Sequence, residues 1–93
     1  MKQNPRPELV DVSLLTNIPS VSEHLALLEQ AQKECVDGIA ALMEEELQRK
    51  GVTHASAIHE LKQRRTIIEF QITFLRSRLN RLKEEDAVAD GMM

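Results

Sequence analysis

The chain has 93 residues and no aromatic residue other than two Phe, so it forms one domain at most and its core must be aliphatic. A single Cys excludes an internal disulfide framework, and a net charge of −3 is too small to indicate an acidic tail or a bulk polyanion binder. The polar first residues show no signal-peptide pattern, and no apolar run reaches membrane-spanning length. We therefore expect a cytoplasmic protein that does not associate with a membrane.

The N-terminal part of the chain, residues 1–19, joins a polar stretch to an apolar one. We expect residues 1–7 to be flexible, because they contain two prolines and nothing that can be buried. Residues 8–19 are too apolar for a free tail, and either a short helix over about 8–16 or an extended arm fits them. In both interpretations Pro19 ends the segment.

A first long helix is predicted over about residues 20–50. Ser20 and Glu23 have the spacing of a capping box, and Gly51 suits the left-handed position that ends a helix. Gly38 costs about 1 kcal/mol relative to Ala in mid-helix, so we interpret it as a close helix crossing or a weak point rather than a ligand site. The predicted inward row is Leu25, Leu28, Ala31 or Gln32, Cys35, Ile39, Leu42 or Met43, and Leu47.

A second long helix is predicted over about residues 53–86, with Thr53 as its N-cap and residues 87–93 as a disordered tail. Its apolar residues repeat in sevens on two adjacent rows, a pattern typical of a coiled coil. The rows are Ile58, Arg65, Ile72, Leu79 and Leu61, Ile68, Leu75, Leu82. The short connection makes the two long helices antiparallel neighbours, so the predicted fold is an all-α, coiled-coil-like hairpin of residues 20–86.

The middle of the second helix is apolar on both sides. Ile67, Phe70 and Phe74 lie nearly opposite the heptad rows, and one partner helix can cover only one side. We therefore expect a homo-oligomeric helical bundle, most simply a two-fold dimer. The predicted oligomer interface is Ile67, Ile68, Phe70, Ile72, Phe74, Leu75, Leu14, Leu15 and Ile18.

Arg65 is the one charged residue on the heptad rows. We interpret it as a register-fixing charge whose head reaches Asp37 or a carboxylate of a partner. The alternative is that Arg64 or Arg65 contacts a small anion in a cavity between subunits. Either role requires the guanidinium to meet a negative group near the centre of the assembly.

The sequence contains no motif of an enzyme, so we predict no catalytic residue, no metal site and no cofactor. His54 and His59 are five residues apart, which points them in different directions on a helix rather than at one metal ion. Cys35 falls on the apolar row of the first helix, where a buried, inert thiol is expected.

These patterns favour a non-enzymatic interaction protein: an adaptor, chaperone or inhibitor that self-associates and binds a protein partner. No motif ties the chain to a family of small helical-hairpin proteins. One alternative is a nucleic-acid-binding regulator that uses Arg76, Arg78 and Arg81, which is not favoured because three acids follow at once. The other is an oligomer that sequesters a small anionic ligand through Arg64 or Arg65.

Overall fold

The computed structural model describes residues 6–91, with side-chain burial for residues 6–86. Two short 3-10 turns, Pro7–Leu9 and Val12–Leu14, precede two long helices, α1 (Ile18–Gln48) and α2 (Ala55–Gly91). The helices pack against each other as an antiparallel hairpin, and the described residues contain no strand. The predicted all-helical hairpin is therefore confirmed. The flexibility expected of residues 1–5 and of the last two residues lies outside the described range. For Pro7 the expectation is wrong, because this residue is buried in the first 3-10 turn.

The segment before α1, residues 6–17, is called the arm below. It is neither the single helix over 8–16 nor a fully extended strand, but two 3-10 turns separated by extended residues. α1 begins at Ile18, where the side-chain oxygen of Asn17 accepts a hydrogen bond of 2.9 Å from the backbone of Ser20. The capping box predicted at Ser20 is therefore wrong. Pro19 opens the helix instead of ending the arm, because a first-turn proline has no helical hydrogen bond to lose.

The connection between the helices is longer than predicted, since α1 ends at Gln48 and α2 begins at Ala55. Gly51 adopts the expected left-handed conformation, with φ of 84°. The carboxylate of Glu46 holds the rest of the connection by accepting a 2.6 Å hydrogen bond from the backbone of His54 and one of 3.4 Å from the hydroxyl of Thr53. Thr53 is thus not the cap of α2. At its other end α2 continues past the predicted limit near residue 86, to Gly91.

The core lies between the facing rows of the two helices. Its fully or nearly fully buried members are Val21, Leu25, Leu28, Ala31, Cys35, Ile68, Ile72 and Leu75. The heptad rows of α2 therefore do face α1, as predicted. The prediction that Leu47, at the end of the α1 row, faces inward is wrong, because Leu47 is 87% exposed. At 100° per residue it lies about 100° around the helix from the fully buried Leu28, so the row has turned towards solvent there.

Gly38 marks a close approach of the two helices. A Cβ atom added to it would lie 3.2 Å from the Cδ1 atom of Leu61 on α2. Such a distance is tighter than ordinary van der Waals contact, so the missing side chain allows the helices to pack closely at this level. The interpretation of Gly38 as a close helix crossing is confirmed.

Arg65 does not reach across to α1. Its Nε atom lies 3.5 Å from a carboxylate oxygen of Glu69, one turn further along α2, and its side chain is 36% exposed. The prediction that Arg65 contacts Asp37 of the same chain is therefore wrong. The long side chain lets the charged head leave the apolar row and reach water, which costs less than a buried charge.

Candidate functional site

The arm is fastened to α2 by a buried ion pair. The side chain of Glu8 is only 3% exposed, and Arg64 binds its two carboxylate oxygens through Nε at 2.6 Å and Nη2 at 3.2 Å. Arg6 adds a third hydrogen bond of 3.2 Å. Burial opposes ionisation of Glu8, but the hydrogen bonds and charge of Arg64 together with the bond from Arg6 outweigh it and lower the pKa of Glu8. The same pairing raises the pKa of Arg64, so both groups stay charged.

Two more residues on the same row of α2 bind the backbone of the arm. Gln71 donates a 2.9 Å hydrogen bond to the carbonyl oxygen of Glu8. One nitrogen of Arg78 donates to the carbonyl oxygens of Ser13 and Leu15, both at 2.9 Å. Because Arg64, Gln71 and Arg78 are seven residues apart, they form a polar row along one flank of α2. This row satisfies carbonyl groups that the irregular arm cannot satisfy within itself.

α1 holds the beginning of the arm from its other side. The Nε2 atom of His24 lies 3.0 Å from the carbonyl oxygen of Pro7, and the His24 side chain is buried. A carbonyl oxygen can only accept, so this ring nitrogen carries the hydrogen of the bond. The arm is thus positioned against both helices, although it contains no regular helix of its own.

Because the arm covers only one flank of α2, the helix keeps an exposed apolar surface. This surface, called the outward face, contains Ile67, Phe70 and Phe74, which are 49%, 79% and 41% exposed. Phe70 and Phe74 line an open groove of about 710 Å³, which Val12 of the arm borders on one side. The guanidinium of Arg78 lies 4.7 Å from the centre of the Phe74 ring. This contact explains why the ring of Phe74 is less exposed than the ring of Phe70.

The structure divides the nine predicted interface residues into three groups: buried, half-buried and accessible. Ile68, Ile72 and Leu75 are at most 4% exposed and belong to the core that α1 covers, so they are not accessible to another molecule. The sequence pattern placed them correctly on the buried rows, but a single chain is enough to bury them. On the arm, Leu14 is 75% exposed, whereas Leu15 and Ile18 are half-buried. The accessible apolar residues of the predicted set are therefore Ile67, Phe70, Phe74 and Leu14.

The five arginines predicted to contact an anion or a nucleic acid do not form one surface. Arg64 and Arg78 point at the arm, and Arg65 pairs with its own helix. Arg76 lies on the opposite flank, with Nη2 at 3.3 Å from a carboxylate oxygen of Glu29. Arg81 is exposed and borders a small pocket together with the acidic Glu85.

Cys35 is 1% exposed, and burial raises the pKa of its thiol, which makes it a poor nucleophile. Within residues 6–86, no three His, Cys, Asp or Glu side chains are grouped so that they could hold a metal ion.

Sequence reasoning missed Glu8 and Gln71. The signal for Gln71 was present, because Arg64, Gln71 and Arg78 place three long hydrogen-bond donors beside the heptad rows at seven-residue spacing. Glu8 offered no such signal, since it lies 56 residues from Arg64 and any acid of the chain could have been the partner.

The outward face presents apolar side chains to solvent. Comparisons with protein-family models, with curated proteins and with solved structures gave no match. Neither long helix, over the described residues, has a stretch apolar enough to cross a membrane.

Proposed function

We propose that this chain is a non-enzymatic helical interaction protein of the adaptor, chaperone or inhibitor class, which self-associates and binds a protein partner through the outward face of α2. The observation that carries the proposal is the exposure of Phe70, at 79%, between Ile67 and Phe74. Burial of one such side chain stabilises a complex by about 1.5–3 kcal/mol. Large apolar residues one turn apart on a helix are typical anchors for a partner helix or groove.

The arm supports this proposal because it defines the limits of the outward face. The bonds from Arg64, Gln71 and Arg78 keep the arm on one flank of α2, so it does not slide over Phe70. The face is thereby presented on a rigid helix, which lowers the entropy lost on binding. We also propose a cytoplasmic location, which agrees with a free Cys that is buried rather than bridged.

Nucleic-acid binding has less support. Arg78 already donates to backbone carbonyls, and Arg76 already pairs with Glu29, so a phosphate would have to displace these partners. A small anion at Arg64 would compete with the carboxylate of Glu8, which binds it with two hydrogen bonds. Arg81 alone offers too little charge for a phosphate-tracking surface.

The experiment is photo-crosslinking in the native cell, with a photoreactive amino acid in place of Phe70 and, as a matched control, in place of Lys33. Lys33 is exposed on α1, away from the outward face. We expect covalent adducts of defined mass at position 70 and none at position 33. The absence of adducts at position 70, with the variant folded and expressed, would contradict the proposal.

A further inference from the structure

The outward face carries a charge pattern that indicates its occupant. One row of α2 reads Glu60, Ile67, Phe74 and Arg81 at seven-residue intervals, so all four lie on the same side of the helix. The two apolar residues are in the middle, and residues of opposite charge stand at the two ends. Glu60 and Arg81 are both exposed. Two copies of this row are therefore complementary in charge when they run in opposite directions.

We propose that a second copy of this chain occupies the outward face, with the two α2 helices antiparallel. The two-fold axis passes near Phe70, so that Ile67 of each copy lies within a helical turn of Phe74 of the other. Glu60 of each copy then lies within a turn of Arg81 of the other. This inference rests on the proposed function, since it names the partner of the same face.

Charge decides between the two orientations. A parallel pair in register would bring the two Glu60 side chains together and the two Arg81 side chains together, whereas the antiparallel pair forms two attractive contacts. Each exposed ion pair is weak, but like charges placed opposite one another disfavour the wrong arrangement. The charged ends thus select the orientation, and the apolar centre supplies the affinity.

The two-fold arrangement also places the most exposed apolar side chain of the outward face at its centre. Phe70 is 79% exposed in the single chain and lies close to the axis, where both copies bring the same residue. A symmetric pair buries the same patch on both copies, as an isologous interface requires. The arm does not obstruct this contact because it lies on the flank bound by Arg64, Gln71 and Arg78. Its Val12 extends the border of the apolar groove.

Cross-linking tests the orientation directly. The purified variants Glu60→Cys and Arg81→Cys are treated with a short bismaleimide, first separately and then mixed. We expect cross-linked dimers only in the mixture, because in the antiparallel pair two copies of the same position are about 30 Å apart along the helix axis. The wild-type chain is the control, since its only Cys is 1% exposed. Cross-linking of each variant with itself would indicate a parallel pair and overturn the proposal.

Charge reversal supplies a second test, by sedimentation of purified protein. Glu60→Arg or Arg81→Glu alone should weaken the dimer by roughly three- to tenfold, since each places like charges at both ends of the interface. The double variant with both changes should restore the wild-type affinity, because the two pairs are only inverted. A mixture of the two single variants should form a heterodimer. Single variants that dimerise like the wild type would contradict the antiparallel register.

The double variant Phe70→Asp with Phe74→Asp should be a helical monomer under conditions in which the wild type is a dimer. Phe70→Gln alone is the milder variant, and it should weaken the dimer without loss of helicity. A wild-type chain that stays monomeric at every concentration would overturn the second copy as occupant. The proposed function would then lose its self-association and be judged by the adducts at position 70: a heterologous adduct would keep the binding of a protein partner, and no adduct would remove both proposals.

Discussion

Arg64 and Glu8, which are 56 residues apart in the chain, form a bidentate ion pair with hydrogen bonds of 2.6 and 3.2 Å. The carboxylate is almost completely buried, whereas the guanidinium is 23% exposed. This pair joins the irregular arm to the middle of α2 and leaves the other side of the helix open. The position of the outward face therefore depends on where the arm is fastened.

Loss of the Glu8 charge should destabilise the fold. Glu8→Gln leaves Arg64 with a neutral acceptor in a partly buried site, and we expect the free energy of unfolding to fall by about 1–2 kcal/mol. The decrease is smaller than for a fully buried pair because the guanidinium of Arg64 still reaches water. Urea unfolding followed by circular dichroism measures it. Glu69→Gln removes the exposed pair with Arg65 and should change the free energy by less than about 0.5 kcal/mol; equal losses for both variants would contradict this account.

The same pair should make stability depend on acidic pH. The pKa of Glu8 is lower in the folded chain than in the unfolded chain, where a Glu titrates near pH 4.3. The stabilisation is therefore fully present above about pH 4.3 and is lost as the pH falls through the lowered folded pKa. The difference in unfolding free energy between the wild type and Glu8→Gln isolates this contribution from the other carboxylates. We expect that difference to shrink on acidification. A difference that grows would contradict a lowered pKa of Glu8 in the folded chain.

Gly38 allows a test of packing against helix propensity. Ala at this position gains about 1 kcal/mol of intrinsic helix stability. Its methyl group would lie 3.2 Å from a terminal methyl of Leu61, which is half-buried and can shift slightly. We expect Gly38→Ala to stabilise the fold by about 0.5 kcal/mol, and Gly38→Val to destabilise it by about 1–3 kcal/mol because the branched side chain cannot be accommodated.

The matched control for Gly38 is Ala40→Gly, an exposed position on the same helix. It should cost about 1 kcal/mol through propensity alone. Chemical denaturation of all three variants provides the comparison. If Gly38→Val were as stable as the wild type, the two helices would not approach each other closely at this level.

Leu75 and Phe70 should differ sharply although both belong to the apolar middle of α2. Leu75 is completely buried against α1, so Leu75→Ala should lower the free energy of unfolding by about 2–4 kcal/mol. Phe70 is 79% exposed, so Phe70→Ala should change it by less than about 1 kcal/mol when the protein is too dilute to associate. Denaturation at low protein concentration distinguishes the two, and a large loss for Phe70→Ala would show that the ring is buried within the single chain.

The sequence alone determined the helical hairpin, because the heptad rows of α2 and the positive φ required at Gly51 are local or periodic signals. It also identified the two apolar sides of α2, since their spacing follows from helix geometry. Only the tertiary structure showed that α1 alone buries Ile68 and Leu75 while Phe70 remains accessible. Phe70 stays open because the arm lies on another flank of α2, where Glu8 and Arg64 fix it across a separation at which pairing leaves no periodic pattern in the sequence.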